Sequence, residues 1–494
     1  VSPTALVLGD QLHPGNPALA DAGRVVLVES LAGMRRRPLH RRRAHLVLSG
    51  MRHLAADLRE RGVDVVEHRG AASLREALTA HRGEELVCAE PAEPRAGRAL
   101  AALGVRTLPD TRFLTTPEAF AAWAAGRRRL MMEGFYREQR RRLGLLLDAD
   151  GGPEGGRWNL DAENRSRPPA GLHAPEPWRP REDEIDAGVR ADLDRWELPL
   201  WGEDGPRRFA VTPAEAQTAL EDFVAHRLAQ FGRWQDAMVP GEPFLFHSLL
   251  SVPLNLGVLE PLAAARAAEA AYRAGAVPLA SAEGFIRQVV GWREYVWGMY
   301  RLRADEWPRD DALEARRPLP AAFWGERVGW ACLDGVVDGV RREAYAHHIE
   351  RLMVLGNIAL LAEAEPWETV RWFQGVFADG AEWVMAPNAA GMALHADGGV
   401  TMTKPYAAGG NYISKMSNPS WCSSCRYDPR RRTGEDACPV TALYWAFIAR
   451  HRERLAANPR TAMPVRTWER FGAGEQAAIA ERAERARAEL AGSS

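Results

Sequence analysis

The first 125 residues alternate short apolar runs with stretches whose apolar residues recur at helical spacing. ALVLGD, RVVLVES, VDVVEHR, ELVCAEP and VRTLPD are apolar runs that stop at a polar or turn residue, the pattern of strands covered on both faces. Between them, PLHRRRAHLVLSGMRHLAADLRERG and SLREALTAHR read as helices. Strand and helix in alternation predict a parallel, Rossmann-like sheet with helices on both faces. Such sheets bind ligands beyond the carboxyl ends of their strands, here around Gly9, Asp10, Gln11 and Glu29. No GxGxxG is present, which disfavours a conventional dinucleotide site there.

Glycine and proline then dominate: GGPEGG, RPPAG and APEPWRP fall between Gly151 and Pro180, too many breakers for regular structure. RWNLDAENRSR, in the same stretch, is denser in polar groups than a passive spacer needs. After about Thr212 strand patterns vanish. TPAEAQTALEDFVAHRLAQF, SAEGFIRQVVGWREYVWGMY and REAYAHHIERLMVLGNIALLAEA predict helices to the C-terminus. The chain therefore divides as an α/β domain over 1–125, a linker over 126–211 and an all-α domain over 212–494, in keeping with 494 residues at about 150 per domain.

Charge matters by type more than by sum. The 64 basic and 65 acidic residues nearly cancel, and only Lys404 and Lys415 are lysine. Neither follows a glycine, so a Walker A loop is excluded, and HExxH and GxSxG are absent. Any contact with nucleic acid must come from a local patch. The longest apolar run, Met353 to Ala362, is broken by Gly356 and Asn357 and falls short of the ~18 residues of a membrane span. The first residues lack the basic region of a secretory signal, and five cysteines, mostly clustered, suit a reducing cytoplasm. A soluble cytoplasmic monomer is the expectation.

Cys422, Cys425 and Cys438 form C-x2-C-x12-C, and Cys332 stands upstream in a helix-like stretch. Four thiols satisfy the tetrahedral needs of zinc or of a 4Fe-4S cubane. The second CxxC knuckle usual for zinc is missing, and the Cys-Pro at 438–439 is like ferredoxin-type ligation, which favours iron. Cys88, in a predicted strand, reads as core. Among 17 tryptophans, Trp292, Trp324, Trp330, Trp372 and Trp383 lie in the helical half. Tryptophan is ordinarily a core residue; the alternative is a string of indoles that passes electrons to a redox cofactor.

GFIRQVVGWREY, FHSLLS, YAHHIERLMVLGN and the block TKPYAAGGNYISKMS leading into CxxC and CPVTALYW resemble the bacterial iron–sulfur cryptochromes and photolyases, whose described members repair (6-4) photoproducts. The resemblance runs from LGDQL at the N-terminus to the cysteine block. It implies an antenna domain, a helical FAD domain and a 4Fe-4S cluster on Cys332, Cys422, Cys425 and Cys438. It also implies a 6,7-dimethyl-8-ribityllumazine antenna, for which Asp10 and Glu29 are the expected contacts.

Carried onto this sequence, FHSLLS supplies His247, Ser248, Leu249 and Ser251 at a helix start suited to a pyrophosphate. Arg293 resembles the flavin-contacting arginine, and Arg351 with Asp379 the ion pair beside the isoalloxazine. An arginine within an apolar helix needs such a partner. Met385 falls where photolyases place a polar group near flavin N5, and a thioether has no proton to donate. Trp324 and Trp372 resemble the electron route, with Phe373 and Ala381 where relatives often carry tyrosines.

His347 and His348 are adjacent, so their side chains point about 100° apart around a helix. Repair of a (6-4) lesion returns a hydroxyl to the other base and needs a proton as the electron arrives, a task suited to imidazole. His348 matches the family's catalytic histidine. Gln288, Asp236, Tyr406 and Tyr412 match lesion-pocket positions, and Asp161 and Arg165 match lesion or DNA contacts. Lys404 and Lys415 are expected on phosphates. The implied activity is light-driven repair of UV-damaged DNA, with the lesion extruded from the duplex. The alternatives are a blue-light photoreceptor that signals without repair and a light-independent iron–sulfur DNA-binding protein.

Overall fold

In the computed structural model, five of the seven strands pair as a parallel sheet. The strands are β1 (Thr4–Val7), β2 (Arg24–Ser30), β3 (Leu39–His40), β4 (Asp64–Ala71), β5 (Leu86–Ala89), β6 (Arg106–Leu108) and β7 (Leu200–Trp201). The sheet order is β4-β2-β1-β5-β6, with β1 in register with β2 at Thr4↔Arg24. Ala5, Val7, Val25, Leu27 and Val87 face a core shared with helix Arg41–Glu60, while Leu6, Val26 and Cys88 face a second core with Leu78 and Leu100. Both faces are covered, which is why the strands read as runs and not as alternations. The structure describes residues 2–417 and 420–492; Asn418 and Pro419, in the cysteine block, lie outside the described residues.

β3 and β7 form a separate two-residue pairing, Leu39↔Leu200 and His40↔Trp201, too short for periodicity to reveal. It joins the α/β half to the 126–211 stretch. That stretch contributes helices Met132–Leu143 and Glu184–Arg195 as well as the irregular segment between them. Tyr136 donates to Glu283 Oε1 at 3.0 Å, anchoring the first of these helices to the helical half. Asp183 and Asp186 form a capping box at the start of the second, and Arg207 makes a two-pronged pair with Asp186.

The remainder is helical among the described residues. Helix Pro213–His226 starts where the sequence says it should: Thr212 accepts from the Glu215 amide at the N-cap, and Pro213 fills the first position. Three stretches wind as π-helical turns: Arg287–Trp292, Arg351–Gly356 and Ala386–Ala393. No helix of the described residues is long and apolar enough to cross a membrane.

Glu29, expected at an antenna ligand, is also tied into the fold. Its two oxygens accept from Arg52 Nε at 2.7 Å and Nη2 at 2.8 Å, and Arg52 also donates to Asp192 at 2.6 Å. Both members of the pair are buried. The trio ties β2 to helices Arg41–Glu60 and Glu184–Arg195. Breaking a buried pair from one side strands the other charge, so Glu29→Ala is expected to cost about 3 kcal/mol or more of stability. Chemical denaturation followed by circular dichroism checks this; an unchanged midpoint would show that Glu29 has no structural role.

Candidate functional site

His347 and His348 open the turn that leads into the π-helical turn Arg351–Gly356. His347 is fully buried and stacks on His247, ring centroids 4.7 Å apart at 11°. His348 is half exposed, meets His247 edge-on, and places Nε2 3.3 Å from Asp236 Oδ1. The adjacent histidines thus divide into one core ring and one facing solvent.

From Asp236 a line of alternating charges runs to the 126–211 stretch. Arg165 Nε lies 3.9 Å from Asp236 Oδ2 and pairs with Asp161, whose Oδ1 accepts from Arg287 Nη2 at 2.6 Å. Burial alone would raise the Asp161 carboxyl, but Arg287 and Arg165 outweigh it and hold it below the ordinary carboxylate range. Burial, reinforced by the Asp236 charge, pushes the Tyr412 phenol up to about 12, and Tyr406 rises by burial beside Arg165. Asp161, Arg165, Asp236, His348, Tyr406 and Tyr412 therefore gather in one electrostatic neighbourhood, drawn from segments far apart in sequence. Gln288 lies half-buried on the π-helical turn next to Arg287. Asn357 exchanges two hydrogen bonds with Ala408, at 2.8 and 2.9 Å, and so pins the segment that carries Lys404 and Tyr406. Lys415 is exposed in the last turn of helix Gly410–Met416.

Arg351 donates to Asp379 Oδ1 at 2.8 Å and to the Ala346 carbonyl at 2.6 Å, and its guanidinium lies 4.0 Å from the Phe377 ring centroid. Asn255 donates to the Asp379 carbonyl at 3.0 Å, and Arg293 to that of Leu254 at 3.1 Å. The Arg293 guanidinium also lies 4.5 Å from the Phe113 centroid and 5.0 Å from that of Trp383, and burial lowers its pKa to about 10. Met385 is buried immediately before the π-helical turn Ala386–Ala393.

FHSLLS departs from its expected role as a helix start. The helix begins only at Ser251. Leu249 sits at φ +60°, a left-handed conformation that breaks the helix, and the Ser248 hydroxyl accepts from the Leu250 amide. His247 belongs instead to the histidine stack, with its carbonyl accepting from Arg227 at 2.6 Å. Both His347 ring nitrogens, His247 Nε2, Arg227 Nε and Arg293 Nε are buried with no hydrogen-bond partner. Buried polar atoms are rarely left unpaired, and this concentration between helices suits a large polar cofactor.

Two of the tryptophans, Trp324 and Trp372, are neighbours. The rings of Trp324 and Trp372 are 6.5 Å apart, and Trp372 packs 5.8 Å from Phe377, the ring against which Arg351 lies. Phe373 sits beside Trp372 at 5.1 Å, and Ala381 caps the short helix Glu382–Met385. Sequence reasoning missed Trp201, whose Nε1 donates to the Trp324 carbonyl at 3.2 Å with ring centroids 6.2 Å apart. Its only sequence signal is a tryptophan ending a short apolar run, ELPLW, in the assumed linker. Asp10, at the sheet's carboxyl edge, is 45% exposed and paired with Arg112.

Cys332, Cys422, Cys425 and Cys438 line one cavity with Trp330, Trp421, Tyr427 and Gly410. Gly410 is required there, since a Cβ would come within 2.6 Å of Cys438 Sγ. Cys438 caps helix Pro439–Arg450, and the amides of Val440 and Thr441 donate to its sulfur; the Leu333 amide donates to Cys332. Burial raises Cys438 to about 11 and Cys332 well above the usual thiol range. Four converging sulfurs with amide donors fit a thiolate-bound metal centre.

The family model for deoxyribodipyrimidine photo-lyase-related proteins matches residues 5–209. A (6-4) photolyase of Agrobacterium fabrum is 41% identical over 495 residues, covering 95% of this chain and 96% of that protein. Among solved structures, a bacterial class III photolyase from Agrobacterium tumefaciens aligns with TM-score 0.55 at 17% identity, over 99% of this chain and 98% of that one. A Synechocystis cryptochrome aligns with TM-score 0.53 at 13% identity and the same coverage. The chain belongs to the photolyase-related family that includes the Agrobacterium (6-4) photolyase.

Glu350, 3.5 Å from His347 Nε2, is pushed up to about 8 by burial. The folded state therefore holds a proton that the unfolded state, with its ordinary value of 4.5, gives up. The contribution is full below pH 4.5 and is lost as pH rises through about 8. Glu350→Gln should flatten the fall in stability across this window, read from denaturant titrations at a series of pH values. Identical pH profiles for parent and variant would contradict the protonated state.

Proposed function

We propose that the protein repairs (6-4) photoproducts in DNA under light, with residues 1–125 as antenna domain, 126–211 as a linker that contributes lesion contacts, and 212–494 as the FAD-binding catalytic domain. The observation that carries the reading is the half-exposed His348 beside Asp236, set over the buried His247–His347 stack, in a chain 41% identical to a (6-4) photolyase. His247, Arg227, Ser248 and Ser251 would hold the diphosphate end of FAD, and Arg293, Arg351, Asp379 and Met385 would border its ring. When bound, reduced FAD supplies the electron that repair requires.

The chain's own residues do the rest. Asp236 accepts from His348 Nε2 and orients the ring. His348 then holds a proton at the edge of the pocket for the hydroxyl that moves between bases. The buried stack beneath keeps water from the opposite side. Arg287, Asp161 and Arg165 form a rim against which an extruded base and its phosphate lie, with Gln288, Tyr406 and Tyr412 as further contacts. Lys404 and Lys415 add phosphate contacts. Trp201, Trp324 and Trp372 offer a route by which electrons reach the buried side of Phe377. Asp10 and Glu29 would contact a 6,7-dimethyl-8-ribityllumazine antenna, and the four cysteines would hold a 4Fe-4S cluster.

The test is repair of a defined (6-4) oligonucleotide in the dark and under blue light. His348→Ala should retain FAD and bind lesion DNA, yet repair about 10²- to 10⁴-fold more slowly. His347→Ala should act through flavin retention and stability, because it opens a cavity under His247. Repair at the parent rate by both variants would refute the histidine assignment. A parent inactive on the lesion while its flavin photoreduces would make the protein a photoreceptor.

Serine at any of the four cysteines should lose iron and destabilise the helical domain, since an assembled metal site is folding free energy. Zinc without iron in anaerobically prepared protein would overturn the cluster assignment.

A further inference from the structure

The C-terminal helix Ala473–Ala491 buries Ile479, Ala483, Ala486 and Leu490, as an amphipathic helix should. It also buries a charge: Arg482 is 3% exposed. Arg482 donates Nε to the Ala437 carbonyl at 3.3 Å, lies with its guanidinium 5.1 Å from the Tyr427 ring centroid, and pairs through Nη1 with Glu489 Oε1 at 3.1 Å. The other Glu489 oxygen accepts from the indole N–H of Trp330 at 2.9 Å. Trp330 and Tyr427 line the cysteine cavity, and Ala437 precedes Cys438. One ion pair on the last helix, with Arg482 buried and Glu489 partly exposed, therefore grips three separate parts of the cage. The loop between them is cinched as well, with the Cys438 amide donating to the Asp428 carbonyl and the Asp428 amide to that of Asp436. Buried charges survive in a core only when answered, and here every partner of Arg482 is either Glu489 or a part of the cage.

We propose that the C-terminal helix is the clasp of the cysteine cage and that Arg482, paired with Glu489, is its positioning residue, holding Tyr427, the Ala437–Cys438 peptide and Trp330 in the geometry that retains the metal centre. The inference rests on the reading that the four cysteines bind a cluster. Groups that orient metal ligands from behind are worth about 10- to 100-fold in metal affinity. A guanidinium against the walls of a cluster with anionic thiolate ligands also favours the electron-rich state.

The experiment uses full-length holoprotein prepared without oxygen. Iron release to a chelator is timed, and the cluster's midpoint potential is measured, for the parent, Arg482→Met, Arg482→Lys and the control Arg485→Met, whose side chain is exposed on the same helix. Arg482→Met should release iron about 10- to 100-fold faster and shift the potential negative while its flavin content matches the parent. Arg482→Lys should recover most of the potential, because the charge stays, but less of the retention, because the fork is gone. Should Arg482→Met fold poorly, Glu489→Gln tests the same clasp, since its amide oxygen still accepts from Trp330 but no longer answers the guanidinium; iron release faster than the parent is again the expected result. Parent-like release and potential in Arg482→Met, alongside iron loss in Cys438→Ser, would overturn the clasp and leave the cluster assignment standing. A parent without iron would overturn both.

Discussion

A guanidinium carried into a helical core has to be answered by a carboxylate, and the pairing of Arg351 with Asp379 organises the site around it. Asp379 is held in turn by its own backbone, whose carbonyl accepts from Asn255. Asn255 belongs to the short helix Ser251–Leu256, and that helix also receives Arg293 at Leu254, Arg112 at Asn255 and the Leu12 amide at Leu256. The pair thereby connects the π-helical turn of Arg351 to the carboxyl edge of the parallel sheet through one six-residue wedge. Moving Arg351 would disturb the residues proposed to border the flavin and the seam between the two halves together.

The three π-helical turns follow from the same demand for space and orientation. Such turns insert one residue into a helix and are common at functional sites. Here they carry Gln288 and Arg351 and follow directly on Met385. Gly356 shows the accompanying constraint: a Cβ there would lie 2.7 Å from that of Ala393, in the neighbouring π-helical turn. The two turns pack backbone to backbone, an approach that only glycine permits.

The parallel sheet was legible because its inner strands β1, β2 and β5 are covered on both faces and read as apolar runs. Thr212, Pro213 and Glu215 likewise announce their helix directly. The pairing of β3 with β7 was not, since two residues carry no period. Pairings that depend on tertiary contact were legible only in part through chemistry: an apolar helix containing Arg351 demands an acid, and it was the family resemblance that named Asp379. The fate of Glu29 shows the limit. A carboxylate at the end of a strand reads as a ligand contact, and nothing in the sequence shows that Arg52 arrives from a neighbouring helix to pair with it. Trp201 escaped for the opposite reason, because its stretch reads as a spacer while its indole reaches Trp324.

His347 and His348 show why adjacency in sequence says little about role. The backbone at His347 is extended before the turn begins at His348, so the two rings leave in directions that a continuous helix would not have produced. His347 falls into the stack with His247, where burial drives both rings to the neutral form. His348 reaches solvent and a carboxylate. Desolvation opposes a charged imidazole, so burial makes His247 and His347 a neutral stack, while the half-exposed His348 has a carboxylate 3.3 Å away. The fold thus gives two identical side chains opposite surroundings within one peptide bond.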